Sequence, residues 1–314
     1  MVTQRISNLI DPVETPEEKL DRSIAFISYV FPLLALVVLV LTFYAARTLL
    51  GEEDAILPLM LYIVFPNFIL IPLELDQVLM PLIFMAGICA TLKTMRARSF
   101  LWAVITGVIL YVSIFISFSL LPLLGFSLLW LGIDYLQRRK DMTFRDLLRL
   151  VLGVGVGMLV LFVLLRVFLD YDPYLRYTRA LAVHREVKEY AVEGSQIFEA
   201  LRVNNAEFFT WIGIPALLLL LSRVVKMGAL FVRRQAGRVD GMLLAFLLTY
   251  AALNLVGQTR SEVGRLWMFL LAPISIFLAI EVKELFRKKT AGFYLIVVLQ
   301  LVTTYLLFKF QNFA

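Results

Sequence analysis

The sequence predicts an all-α, polytopic transmembrane bundle of about ten helices, each formed by an apolar run of bilayer length. Three observations carry this. Hydrophobic residues make up 61% of the 314 positions, and mean hydropathy is +0.86. A soluble domain is nearer half apolar, so this chain has too little polar surface to cover itself in water. The apolar residues fall in long runs from Ile24 onward. These runs are apolar on all faces, as in residues 35–41, whereas membrane strands alternate apolar and polar positions. Finally, the charges between runs alternate in sign bias along the chain.

In chain order, the runs place spans at 24–49, 55–72, 77–93, 100–117, 120–137, 147–169, 208–226, 241–256, 265–284 and 291–308. Residues 1–23 are polar and mixed in charge, so the first span is expected to do the targeting. They form an N-terminal segment ahead of a transmembrane domain at 24–314. The stretch 100–137 is long enough for two helices, with 118–122 as the tight turn. Pro32, Pro66, Pro122, Pro215 and Pro273 lie in or beside spans, where neighbouring helices can satisfy the freed backbone groups. The segment 170–207 is the one sizeable loop. Within it Ala180, Val183, Val187 and Tyr190 follow helical spacing, which predicts an amphipathic helix on the membrane surface.

Alternating the spans between two faces sorts the charges. One face collects about three-fifths of the 30 basic residues, among them Arg138, Arg139, Lys140, Arg145, Arg149, Arg233, Arg234 and Lys283. The other has a net negative balance. The positive-inside rule makes the basic face cytoplasmic. Residues 1–23, the 74–76 turn, the loop 170–207 and the loop 257–264 are then extracytoplasmic. The pI near 9.4 reflects this orientation charge; the basic loops lack the aromatic interleaving of a nucleic-acid surface. Cys89 is the only cysteine and His184 the only histidine, which excludes an internal disulfide and a histidine-based metal cluster.

The candidate functional residues are few. Glu74 and Asp76 stand between two spans, where a carboxylate either binds a metal, a sugar hydroxyl or a basic partner, or caps the next helix. Gln258, Arg260, Glu262 and Arg265 share one short loop. Two guanidinium forks there suit an anionic phosphate; the other reading is an ion pair anchoring a helix end. Asp170 and Asp172 form a D-x-D before Pro173, which is a divalent-cation pair (Mg or Mn) in sugar-transfer chemistry, or a plain helix stop. His184 has a pKa suited to acid–base work but sits on the amphipathic segment. Asn205, after Asn204, precedes a span and either hydrogen-bonds a ligand or caps a helix. Gly153, Gly155 and Gly157 lie inside an apolar run without a preceding strand, so they read as close helix packing rather than a nucleotide loop.

Three stretches together carry a family likeness: Phe65-Pro66-Asn67 running to Asp76-Gln77; Tyr171-Asp172-Pro173 with His184 and Asn204-Asn205-Ala206-Glu207-Phe208; and Arg260-Ser261-Glu262-Val263-Gly264-Arg265-Leu266-Trp267. In these the chain resembles membrane glycosyltransferases of the GT-C superfamily. The resemblance implies a sugar taken from a polyprenyl-phosphate lipid and passed to an acceptor at the outer face. It implies that arginines, here Arg260 and Arg265, hold the donor phosphate. It also implies an acidic general base, with Asp76 and Glu74 as the catalytic candidates, orienting the sugar or the first extracytoplasmic loop. The family's first helix and large acidic outer loop have no counterpart here, because the span at 24–49 looks like the family's second helix. A shortened chain, a non-catalytic relative or a protein partner supplying those elements is the expectation. From other classes, a lipid or solute transporter predicts charges along a midplane path and repeated halves, and a membrane scaffold predicts no shared polar site.

Overall fold

The structure is a computed structural model that describes residues 16–70, 75–188, 194–256, 263–286 and 289–310. The described residues are predominantly helical, with no strand among them. A bilayer dictates this economy, since a helix satisfies its own backbone hydrogen bonds. In order the helices are α1 (Pro16–Leu50), α2 (Ile56–Tyr62), α3 (Pro66–Leu70), α4 (Leu75–Ala97), α5 (Phe100–Ile116), α6 (Leu121–Gln137) and α7 (Phe144–Leu169). They continue as α8 (Pro173–Lys188), α9 (Gly194–Ile212), α10 (Ile214–Val232), α11 (Arg238–Val256), α12 (Val263–Leu266), α13 (Leu271–Leu285) and α14 (Lys289–Phe310).

Among the described residues, 7 segments are long and apolar enough to cross a membrane, lying in α1, α4, α6 with its preceding turn, α7, α10, α11 and α14. The chain is therefore a multi-pass membrane protein. α5 is a shorter apolar helix of 17 residues. The expected turn at 118–122 is present: α5 ends at Ile116, Ser117 is extended, and a 3-10 turn leads into α6.

Three predicted spans take a different form. The run 55–72 divides into α2 and α3, because Pro66 lacks an N–H and disfavours helical geometry just before it. The run 208–226 is broken between α9 and α10 at Gly213, whose φ of 91° suits glycine alone. Pro215 then opens α10, where its missing N–H is harmless. The run 265–284 becomes α12, a 3-10 turn and α13. α13 has 15 residues, about 22 Å of helix, against about 30 Å of hydrocarbon. Its residues from Leu271 to Ala279 are all buried, and it packs on α2, α10, α14, α1 and α4. It is apolar all round because protein, rather than lipid, surrounds it.

Glycines bring α5 and α7 together. A Cβ on Gly107 would stand 2.0 Å from the Val154 carbonyl oxygen, and one on Gly157 would stand 2.0 Å from that of Val104. Gly153 meets Ala103 and Phe100, while Gly155 faces open space. Close backbone approach is the membrane's substitute for hydrophobic drive between helices, so two of the three glycines in 153–157 serve packing. α6 packs on α11, and the Phe84, Phe126, Trp130 and Phe269 rings fill the centre.

Candidate functional site

Polar side chains gather where the three broken runs meet. Tyr250 and Asn254 are one turn apart on α11, and Asn205 faces them from α9. The Tyr250 hydroxyl donates to Asn205 Oδ1 at 2.6 Å. Asn205 Nδ2 donates to Asn254 Oδ1 at 3.0 Å and to the Leu201 carbonyl at 2.6 Å. Asn254 Nδ2 returns to the Tyr250 carbonyl at 3.0 Å. A buried amide in hydrocarbon is costly unless it is bonded on both sides, and this ring of donors and acceptors meets that demand.

Gly264 of α12 is held from three directions. Its N–H donates to Glu207 Oε1 of α9 at 2.9 Å. Its carbonyl accepts from Asn67 Nδ2 of α3. The Trp211 indole covers its α-carbon so closely that a Cβ would lie 2.3 Å from the ring. Asn67 is buried, and its Oδ1 has no hydrogen-bond partner. The clamp on Gly264 fixes the half-buried Arg265 next to it. Beneath lies an aromatic floor: Phe208 stands 5.2 Å from Tyr250 and 5.7 Å from Trp267, centroid to centroid. The Gly213 break abuts the middle of α14, where Gln300 Nε2 caps the freed Ile212 carbonyl at 2.9 Å.

Of the residues expected from sequence, Asn205 and Arg265 belong to this assembly. Glu74, Gln258, Arg260 and Glu262 lie outside the described residues. Asp76 falls in the first turn of α4 and His184 in α8, and the side chains of both lie outside the described set. Asp170 and Asp172 sit elsewhere, at the α7–α8 junction. Asp170 ends α7 in a left-handed conformation and pairs with Arg166 at 3.2 Å. Asp172 Oδ1 accepts the Leu175 N–H at 2.9 Å. These are the contacts of a helix stop and a helix cap, the second of the two readings of the D-x-D. Among the described residues no group of His, Cys, Asp and Glu gathers to hold a metal. Next to this junction Arg176 lies 5.4 Å from the Phe115 ring and 5.6 Å from those of Phe118 and Tyr171, which pins α8 to the α5–α6 turn.

Tyr250, Asn254 and Gln300 are functional candidates that sequence reading did not single out, and Glu207 figured there only as part of a motif. Their signal was there: Tyr250 and Asn254 are four apart in a span, and Gln300 stands mid-run. A second polar layer lies at the basic-loop end, roughly 15 Å along α11 from Tyr250 at 1.5 Å per residue. Arg223 of α10, 3% exposed, pairs with Asp240 of α11 and, at 3.3 Å, with Glu284 of α13. Lys226 bridges to Glu281 at 2.7 Å and Glu284 at 3.3 Å. A charge inside a membrane-spanning helix is costly unless it is paired. The break at Gly213 starts α10 at Ile214 and so leaves Arg223 at its middle, where its ion pairs meet that cost.

Comparison with models of protein families, with curated proteins and with solved structures gives no match for this chain.

Proposed function

We propose that the chain is a GT-C-like membrane protein that binds a polyprenyl-phosphate-linked sugar at its extracytoplasmic side. The observation that carries this is the clamp on Gly264. Asn67, Glu207 and Trp211, from two helices distant in sequence, hold the residue that joins Arg265 to the loop bearing Gln258, Arg260 and Glu262. A connector without a task would not need its N–H, its carbonyl and its α-carbon all engaged. The chemistry suits the ligand. Arginine forks match phosphate oxygens, amides and a phenol match sugar hydroxyls, and an aromatic floor matches a sugar face or an isoprenoid.

Transfer to an acceptor would follow if Asp76, Glu74 or a protein partner supplies the base. The test is retention of polyprenyl-phosphate hexose by the purified chain, with neutral polyprenol as the control. Wild type is expected to prefer the phosphate, and the Arg260→Ala, Arg265→Ala pair is expected to lose that preference by tenfold or more. Equal retention of both lipids by the wild type would sink the reading.

One observation favours a carrier as the second reading. The α9–α10 break at Gly213 lies level with the middle of α14, and carriers build substrate sites at such interrupted helices. Proteoliposomes separate the two: movement of the intact lipid across the bilayer without sugar release would mark a carrier.

A further inference from the structure

We propose that a groove at the basic-loop end of the α5–α7 pair binds the headgroup of an anionic phospholipid. The groove encloses about 580 Å³ and is lined by Phe100, Arg145, Asp146, Leu148, Arg149 and Leu152. It belongs to neither polar layer described above. Arg145 and Arg149 are one turn apart on α7, so they share a face, and both are exposed. Among the described residues neither makes an ion pair. The only carboxylate in the groove is committed elsewhere. Asp146 Oδ2 accepts the Thr143 N–H at 2.9 Å and its hydroxyl at 2.7 Å, completing a capping box at the start of α7. Arg149 is near enough to Asp146 to act on its carboxylate electrostatically, yet two guanidinium groups against one carboxylate leave the groove net positive, with both forks free of an ion pair.

The second half of the evidence is apolar. Leu148 and Leu152 are 46% and 56% exposed, and they continue into Val156, Leu159 and Val160 along the same helix. Only 22% of the apolar window of α7 is buried, so this helix faces lipid. Phe100 closes the base of the groove against Gly153, where a Cβ would come within 3.2 Å of it. A free phosphate would use the arginines and leave the leucines idle. A phospholipid uses both, with its phosphate between the forks and an acyl chain along the leucine wall. The basic end is the one that charge counting makes cytoplasmic, where anionic lipids are richest and basic pockets between membrane helices hold their headgroups.

The experiment uses the full chain in nanodiscs of phosphatidylcholine with a minor fraction of phosphatidylglycerol. Lipid retained after transfer to mild detergent is identified by native mass spectrometry. Wild type is expected to keep phosphatidylglycerol selectively. Because both forks lose their charge-assisted hydrogen bonds to the phosphate, Arg145→Gln with Arg149→Gln should weaken that selectivity by about tenfold or more. Arg233→Gln with Arg234→Gln, equally basic and exposed at the end of α10, should leave it unchanged. Unaltered helicity and melting in both pairs exclude misfolding as the cause. The proposal is overturned if the Arg145/Arg149 pair retains wild-type selectivity, or if the Arg233/Arg234 pair loses as much. Displacement of the lipid by matched inorganic phosphate would also overturn it.

Discussion

Replacing Arg223 by methionine tests whether the charged layer between α10, α11 and α13 is a closed electrostatic unit. Arg223 is buried against Asp240 and Glu284, and Asp240 is itself only 5% exposed. Removing the guanidinium strands the Asp240 carboxylate, whose remaining described partner is the Gly237 N–H at 2.8 Å. Glu284 keeps Lys226 at 3.3 Å and is less affected. Breaking one side of a buried ion pair costs about 3–5 kcal/mol, most of it the penalty of the charge left behind. Removing both charges is far cheaper. Asp240→Asn retains an oxygen for the Gly237 N–H and carries no charge. Arg223→Met with Asp240→Asn should therefore lie within about 1–2 kcal/mol of wild type. The assay is reversible unfolding in mixed micelles followed by tryptophan fluorescence, run as a double-mutant cycle. A double variant no more stable than Arg223→Met alone would refute the reasoning, because the loss would then come from packing rather than from a stranded charge.

Three further outcomes follow from contacts already described. Gly157→Ala should prevent the α5–α7 contact from closing, because its Cβ would stand 2.0 Å from a backbone oxygen; the expected loss of several kcal/mol reads out as a fall in the yield of monodisperse protein, and wild-type yield would disprove it. Gln300→Leu leaves the Ile212 carbonyl without its donor and should destabilise by about 1–2 kcal/mol, measured by the same unfolding assay. Gly264→Ala drives a methyl into the Trp211 indole and should abolish polyprenyl-phosphate selectivity while costing about 1–3 kcal/mol of stability; retention of full selectivity would show that the clamp does not position the arginine loop.

How much of this was legible in the sequence depended on the reach of each signal. The apolar length of α1, α4, α7, α11 and α14 sufficed to mark them, because a bilayer-crossing helix is determined locally. The turn between α5 and α6 was equally local. What length could not reveal was which apolar run faces protein. The run 265–284 has the composition of a span, yet α13 is a 15-residue core helix. Lipid and protein interior present the same apolar environment to a side chain, so hydropathy is blind to the difference. The site was half legible for a related reason. Asn205 and Arg265 stood out by lying at the ends of runs. Tyr250, Asn254 and Gln300 lay inside runs, and their importance depends on which helices meet them.

The positions of the polar residues and of the helix breaks are one fact rather than two. Each interruption of a helix in hydrocarbon frees backbone groups that no water can satisfy. Gln300 answers the carbonyl at the Gly213 break, Glu207 answers the N–H at the start of α12, and Asn67, just after the Pro66 break, answers the Gly264 carbonyl. A protein that needed only to span the membrane would avoid these breaks and the polar residues they require. Unbroken helices through 55–72, 208–226 and 265–284 would be simpler and more stable. Three interruptions at one place fit the proposed site, whose backbone would be opened to a ligand from outside the bundle. Asn67 Oδ1 and Gln300 Oε1, both buried and unpartnered, are acceptors there that no described protein group satisfies. Asn67→Asp tests this directly. It removes the amide donor and adds a carboxylate, so it should weaken the Gly264 clamp by about 1–3 kcal/mol and lower sugar-phosphate retention through the added negative charge. If stability falls while retention is unchanged, the breaks serve the fold alone.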